Sequence, residues 1–208
     1  GSGVRRGRVS VLGGGVAGLC AARVAAGMGA DVTVFDVDVA RMRYIDEVWG
    51  GRIGTRFSSP LAVREACGES DVVIGSVLVP GARTPHLVDH EMVLGMVPGS
   101  VLVDVAVDQG GCFEDSHPTT HADPTFVVGG SVFYCVANMP GAVPHTSTYA
   151  LTNATMRYVL LLADEGWRGA CGSRDDLRRG LATCGGKLVS APVGEALGIE
   201  CVPVSEVL

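Results

Sequence analysis

A chain of 208 residues with 47% hydrophobic and 18% charged side chains is long enough to bury a real core, and its composition excludes collagen, coiled coil and bulk disorder. Sixteen basic against 22 acidic residues leave a net charge of −6, and Lys/Arg clustering is confined to Arg5, Arg6 and Arg8, which excludes a nucleic-acid footprint. The longest apolar stretches, such as 158–163, are too short to span a membrane, and nothing reads as a secretory signal.

The seven cysteines are odd in number and scattered, with no C-x-x-C pair. That usage predicts buried thiols in a reducing, cytoplasmic compartment rather than a disulfide frame or a zinc site. Lys187 is the only lysine, so any chemistry that needs one has a single candidate.

A β-branched run over 9–12 stops at glycine and predicts a first strand. Leu19, Ala22, Arg23 and Ala26 are spaced by three and four and predict a helix over 16–28. Strands are expected at 32–35, 72–75, 101–105 and 132–136, with helices at 41–48 and 90–96, the latter stopped by Pro98-Gly99. Strands apolar on both faces, alternating with helices, predict an α/β fold built on a doubly wound parallel sheet. Helices over 148–163, 174–181 and 192–197 follow, with 187–189 unassigned. The expected organisation is a dinucleotide-binding domain over 1–150 and a small helical carboxyl-terminal tail over 151–208.

Gly13-Gly14-Gly15-Val16-Ala17-Gly18 fits G-x-G-x-x-G. A strand precedes it, a helix follows, and the next strand ends in Asp36, eighteen residues past Gly18. Together these features are the dinucleotide fingerprint of a Rossmann domain. Gly13 permits the tight turn, Gly15 admits the pyrophosphate to the backbone, and Gly18 lets helix and strand pack closely. The helix start at Val16 and Ala17 offers free N–H groups and a positive dipole end. Asp36 accepts from the adenosine ribose hydroxyls and repels a 2′-phosphate, which favours NAD over NADP; Arg41, five residues on, weighs the other way.

Two further clusters end later strands, where open α/β sheets collect ligands. Asp108, in Asp104-Val105-Ala106-Val107-Asp108-Gln109-Gly110-Gly111, either reaches the nicotinamide side of a crevice or caps a turn. Asn138 and Met139, before Pro140-Gly141, offer an amide and a soft apolar wall, or simply end a strand at a turn. His117 and His121 share a loop, but Pro118 breaks the helical spacing a metal pair would use, and no metal is expected.

Four stretches carry a family resemblance: VLGGGVAGLCAARVAAGMGADVTVFD, DVVIGSVLVPG, GSVLVDVAVDQGGCFE and FYCVANMPGAVPHTSTYALTNAT. They are similar to the alanine dehydrogenase family, whose fold is shared with the nicotinamide nucleotide transhydrogenases and lysine-pathway dehydrogenases. The resemblance covers nearly the whole chain. It implies NAD as cofactor, with Gly13, Gly15 and Gly18 forming the pyrophosphate loop, Asp36 at the adenosine ribose, and Val16, Ala17 and Val37 among the cofactor-binding residues. It implies Arg41 near the adenosine, Ser58 near the adenine, and Val77 and Leu78 in the adenine pocket. Val105 and Asp108 would flank the nicotinamide ribose and ring, and Val136, Asn138 and Met139 would face the nicotinamide and substrate. Asp108 and Asn138 are then the catalytic candidates.

The implied activity is hydride transfer between nicotinamide and the carbon of an amino or imino acid, with an amino or keto acid as substrate. Family members carry a large amino-terminal segment that supplies the substrate-gripping arginine, lysine and histidine, and this sequence begins just before the Rossmann strand. Those groups are expected from a second subunit or another protomer, or the substrate is altered. The alternatives are a shortened homologue recruited to a different NAD-linked reaction in specialised metabolism, a non-catalytic NAD-binding or assembly subunit, or an excised piece of a longer enzyme. Leu177, Leu181, Leu188, Val193 and Leu197 are expected to form an uncovered apolar face on the tail, which predicts a homo-oligomer or a partner chain.

Overall fold

The structure is a computed structural model and describes residues 2–79 and 84–208. Pro80 and Gly81, at the end of the second resembling stretch, lie outside the described residues. The first unit runs through β1 (Arg8–Leu12), α1 (Val16–Gly27), β2 (Asp31–Asp36), α2 (Val39–Trp49), β3 (Gly54–Phe57), α3 (Pro60–Glu69) and β4 (Val72–Gly75). It continues with α4 (His90–Leu94), β5 (Val101–Asp104), a 3-10 turn at Val107–Gln109, β6 (Thr125–Val128) and β7 (Ser131–Tyr134). The strands order as β3-β2-β1-β4-β5-β7-β6, all parallel except β6, which pairs antiparallel with β7. This is the doubly wound sheet that the hydrophobic pattern predicts.

Both faces of the sheet are covered, and strand alternation sorts the core into two clusters. Val9, Val11, Val32 and Val34 face one side with Ala22 of α1 and Ile45 of α2. Leu12, Phe35, Val73, Leu102 and Phe133 face the other with Val63 and Cys67 of α3 and Val93 of α4. Each fully buried Val, Leu or Phe contributes about 1.5–3 kcal/mol relative to exposure. Among the buried polar side chains, Ser10 is hydrogen-bonded, its hydroxyl 2.8 Å from that of Ser70.

Sequence periodicity misses β3, α3 and β6. Strand β3 is short and exposed along most of its length, so no alternation marks it. Helix α3 is announced by Ser59, whose Oγ accepts from Ala62 N at 3.2 Å, and by Pro60 in its first turn. Strands β6 and β7 are joined by Gly129-Gly130, both at positive φ, a two-residue hairpin turn.

Residues 140–208 form a second compact unit, so the division between units falls between Met139 and Pro140. This unit holds α5 (Pro144–Ser173), α6 (Asp175–Gly180), a hairpin of β8 (Thr183–Cys184) and β9 (Lys187–Leu188), and α7 (Ala191–Leu197). Gly166, at φ +66° and ψ 166°, breaks α5 into two helices. Tyr158 O–H donates to Asp176 Oδ2 at 3.0 Å, and Arg174 grips the same carboxylate, tying α5 to α6. That grip holds the Asp176 carboxyl well below the usual carboxylate range.

The apolar surface of this unit differs from expectation. Leu177, Leu181, Leu188 and Val193 are partly buried, and only Leu197 of the five is open. Leu188 packs within its own unit, 3.6 Å from the Cβ position of Gly194. The exposed apolar side chains lie on α5 instead: Tyr149, Leu151, Met156, Val159 and Leu160. Periodicity recognised apolar residues correctly, but hairpin and helix packing consumed the tail's own set.

Candidate functional site at the carboxyl edge of the sheet

The register aligns the carboxyl ends of the parallel strands. Leu12 pairs with Phe35 and Gly75, Gly75 with Asp104, and Val103 with Tyr134. The segments at and after these ends carry the cofactor candidates apart from Arg41, which lies in α2. The glycine loop follows β1, Asp36 ends β2, and Ser58 follows β3. Val77 and Leu78 follow β4, Val105 and Asp108 follow β5, and Val136, Asn138 and Met139 follow β7. Strand order reverses between β1 and β4, which makes this edge the switch point where such sheets form a crevice.

Each glycine of the loop has a separate geometric reason. Gly13 sits at φ +99°, and a Cβ there would lie 2.9 Å from Ser76 O. A Cβ on Gly18 would lie 1.9 Å from Gly13 O and 2.4 Å from Ser76 Oγ, so helix and turn touch only because it is absent. Gly15 is the opposite case: a Cβ would meet nothing within 4 Å. It is also the N-cap of α1, with no side-chain cap. The first turns of α2, α3 and α4 are capped by Asp38, Ser59 and Asp89. Helix α1 therefore presents first-turn N–H groups at an open glycine, and Val16, at its first turn, is 83% exposed.

Asp36 is held from two directions. Gly14 N donates to its Oδ2 at 2.7 Å, and Asp38 N donates to its Oδ1 at 2.9 Å. A carboxylate has about four lone-pair sites, so acceptor capacity remains after two such bonds. The Arg41 guanidinium turns toward the loop: Nε donates to Gly14 O at 2.5 Å, and the group lies 5.2 Å over the Tyr44 ring. Ser58 N donates to Asp36 O at 2.9 Å, which brings the β3 end alongside. Val37 and Leu78 are exposed, and Val77 is partly buried.

On the other half of the edge, Val105 is 40% exposed and Asp108 is exposed on the 3-10 turn. Val136 is buried, Asn138 exposed and Met139 partly buried. The loop holding both histidines runs beside β7: Thr119 N donates to Cys135 O and Ala137 N to Thr119 O. The His121 Nε2 lies 2.8 Å from the backbone oxygen of Asn138, and His117 stacks on Phe126 at 3.8 Å. These contacts occupy the rings structurally, and among the described residues no three His, Cys, Asp or Glu side chains are grouped to hold a metal. Burial pushes the Cys67 and Cys112 thiols up to about 12, which removes them as nucleophiles.

Two positioning residues escape sequence reasoning. The Ser76 hydroxyl lies 2.9 Å from both Leu12 O and Gly13 O and fixes the turn beneath α1. Asp104, fully buried, accepts from Ala106 N, Cys112 N, Phe113 N and Ser116 Oγ. A carboxylate that closes an apolar strand just before a Gly-Gly turn is the signal that could have found it.

A cavity of about 230 Å³ opens near the amino ends of β1 and β2, lined by Arg8, Asp31, Arg56 and Glu69 among others. None of its lining residues belongs to the carboxyl-edge set.

Comparison with known proteins shows the family. The alanine dehydrogenase/PNT C-terminal domain family matches residues 1–191. The alanine dehydrogenase of Mycolicibacterium smegmatis is 57% identical over 206 residues, covering 99% of this chain and 56% of the relative. That of Halomonas elongata is 54% identical over the same length and shares. A solved structure titled L-alanine dehydrogenase superposes with a TM-score of 0.84 at 47% identity, over 94% of this chain and 54% of its own. The chain thus spans about half the length of the curated relatives it matches. With the family's sequence running through the doubly wound sheet and its glycine loop, the chain belongs to the alanine dehydrogenase/PNT C-terminal domain family.

Proposed function

We propose that this chain is the nucleotide-binding part of an alanine dehydrogenase, with NAD bound along the carboxyl edge of the sheet. The observation that carries this reading is the uncapped start of α1 at an open Gly15, beside an Asp36 already oriented by Gly14 N and Asp38 N. A diphosphate needs unsatisfied N–H groups and backbone access, and an adenosine ribose needs a fixed acceptor. Both are present without rearrangement. When bound, NAD supplies a hydride acceptor at nicotinamide C4.

The protein's own residues divide the work. Gly13, Gly15, Val16, Ala17 and Gly18 line the pyrophosphate, and Asp36 and Val37 take the ribose. Ser58, Val77 and Leu78 border the adenine. Arg41 braces the loop through Gly14 O, and a guanidinium so engaged leaves Asp36 to select against a 2′-phosphate. Val105, Asp108, Val136, Asn138 and Met139 form the nicotinamide side. Asp108 stands exposed on its turn, free to hold a proton or orient the reacting carbon, and the Asn138 amide can orient the same centre. The substrate belongs to the amino or keto acid class, and its carboxylate clamp comes from outside residues 1–208.

The second unit, over 140–208, corresponds to the carboxyl-terminal part of the family's substrate domain, and the sheet-bearing unit before it to the dinucleotide domain. The exposed apolar residues of α5 support assembly with a second copy or a partner subunit. Light scattering at micromolar concentration checks that assembly, and a monodisperse monomer argues against it. Calorimetric titration with NAD and NADH tests the central reading. Binding that Asp36→Ala weakens by about tenfold, roughly 1.4 kcal/mol, is the expected result. Absence of binding by the unmodified chain overturns it.

A further inference from the structure

The Asp104 side chain hydrogen-bonds to none of the residues assigned to the cofactor, yet the segment from Val105 to Ser116 folds around it. It ends β5 with no solvent exposure. Its Oδ1 accepts from Ala106 N at 3.0 Å. Its Oδ2 accepts from Cys112 N at 2.8 Å, Phe113 N at 3.4 Å and Ser116 Oγ at 2.5 Å. The carboxylate thus binds the segment just after the strand to the segment eight to twelve residues on, and the turn bearing Asp108 is the arc between them.

The backbone around the arc is shaped to bring it onto that carboxylate. Gly110 and Gly111 both have positive φ, at +101° and +81°. A Cβ on Gly111 would lie 2.8 Å from Asp104 Oδ2 and 2.9 Å from Ser116 Cβ. Beneath the arc, a Cβ on Gly75, the register partner of Asp104, would lie 2.5 Å from Cys112 Cβ. Gly111 N and Gln109 N both donate to Ala106 O, closing the turn. Buried charge is tolerated only when its lone pairs are satisfied, and here three backbone N–H groups and a hydroxyl satisfy them. Such charge-assisted bonds are about twice as strong as neutral ones and fix geometry rather than merely filling space.

We infer that Asp104 is a positioning residue for the nicotinamide side of the site: it holds Val105 and Asp108 at the crevice by anchoring both ends of their loop. The inference rests on the dinucleotide reading and deepens it. An anchor of this kind acts on the nicotinamide end of NADH and leaves the adenosine diphosphate end, served by the glycine loop and Asp36, untouched.

The test compares NADH with ADP-ribose, which lacks the nicotinamide. Asp104→Asn keeps the size of the side chain but faces an N–H₂ group toward backbone donors. The expected result is that the unmodified chain binds NADH more tightly than ADP-ribose, and that Asp104→Asn lowers NADH affinity by about tenfold while ADP-ribose stays within about twofold. The enhanced fluorescence of bound NADH, which reports nicotinamide immobilisation, falls with it. A purely structural role lowers both affinities together, and that outcome overturns the inference. An unchanged preference for NADH in the variant overturns it too. Equal binding of the two ligands by the unmodified chain overturns the inference while the dinucleotide reading stands; binding of neither ends both. If Asp104→Asn fails to fold, Ser116→Ala decides: it removes one of the four donors and must lower the NADH preference in the same sense, and a full NADH preference in that variant overturns the inference.

Discussion

The turn after β1 and the loop after β5 both leave an apolar strand at the same edge of the sheet, and they keep their shapes by opposite means. The β1 turn is held by the absence of side chains. Gly13 and Gly18 allow backbone to touch backbone, and Gly15 leaves its outer surface bare. The β5 loop is held by the presence of one side chain, the buried Asp104 with its four donors. A turn made by omission is compact and contiguous in sequence. A loop made by a hub joins residues up to twelve positions apart, so its logic appears only in three dimensions.

Substitutions that add a single methyl group break this comparison at its strongest point first. Gly18→Ala sets a Cβ 1.9 Å from Gly13 O, a backbone atom with no room to retreat. The expected loss of stability is about 3 kcal/mol, read from the urea midpoint. Gly111→Ala probes the other loop. It adds left-handed backbone strain to a 2.8 Å approach on an Asp104 oxygen that three other donors already hold. About 2 kcal/mol is expected from the same measurement. Equal stability of Gly111→Ala and the parent would mean the hub tolerates displacement.

Gly15→Ala separates fold from function within the glycine turn. Its φ of −64° suits any residue, and nothing lies within 4 Å of the new Cβ. The stability cost is expected to stay below about 1 kcal/mol, the weaker N-cap accounting for it. NADH affinity should nevertheless fall by about tenfold, because the methyl group enters the surface proposed for the pyrophosphate. Calorimetry beside a thermal melt reads both quantities on one preparation.

The same contrast explains what could be read from the sequence. The glycine turn, Asp36 and the main strands, apolar on both faces, are signalled within short windows. The exposed strand β3 gave no alternation to read. The Gly129-Gly130 hairpin and the Ser59-Pro60 helix start were legible by local rules and were missed beside stronger patterns. Asp104 was visible as a residue but not as a hub, since its donors are revealed only when the loop closes. The tail's apolar set was recognisable as apolar, while which residues it spends on its own hairpin depends on packing that no local window contains.

The smallest effect expected comes from the outer end of the β5 loop, where a surface pair does in solvent what Asp104 does in the core. Glu114 Oε2 accepts from His90 N at 2.9 Å, and the His90 Nδ1 lies 3.0 Å from Asp115. The Asp115 carboxylate, with Glu91 and Glu114 nearby, raises the His90 pKa above its ordinary value. A raised folded-state pKa stabilises the protein when the imidazole is charged. That contribution is complete below the ordinary value of about 6.5 and disappears as pH rises through the folded value. His90→Gln should therefore lower the melting temperature slightly at about pH 6, and the gap from the parent should close by about pH 8. Salt should narrow the gap at the lower pH, because the imidazole is exposed and its pairing screened. A gap that widened with pH would mean that the neutral ring, through packing, and not the imidazolium–Asp115 pair, holds the loop's outer end.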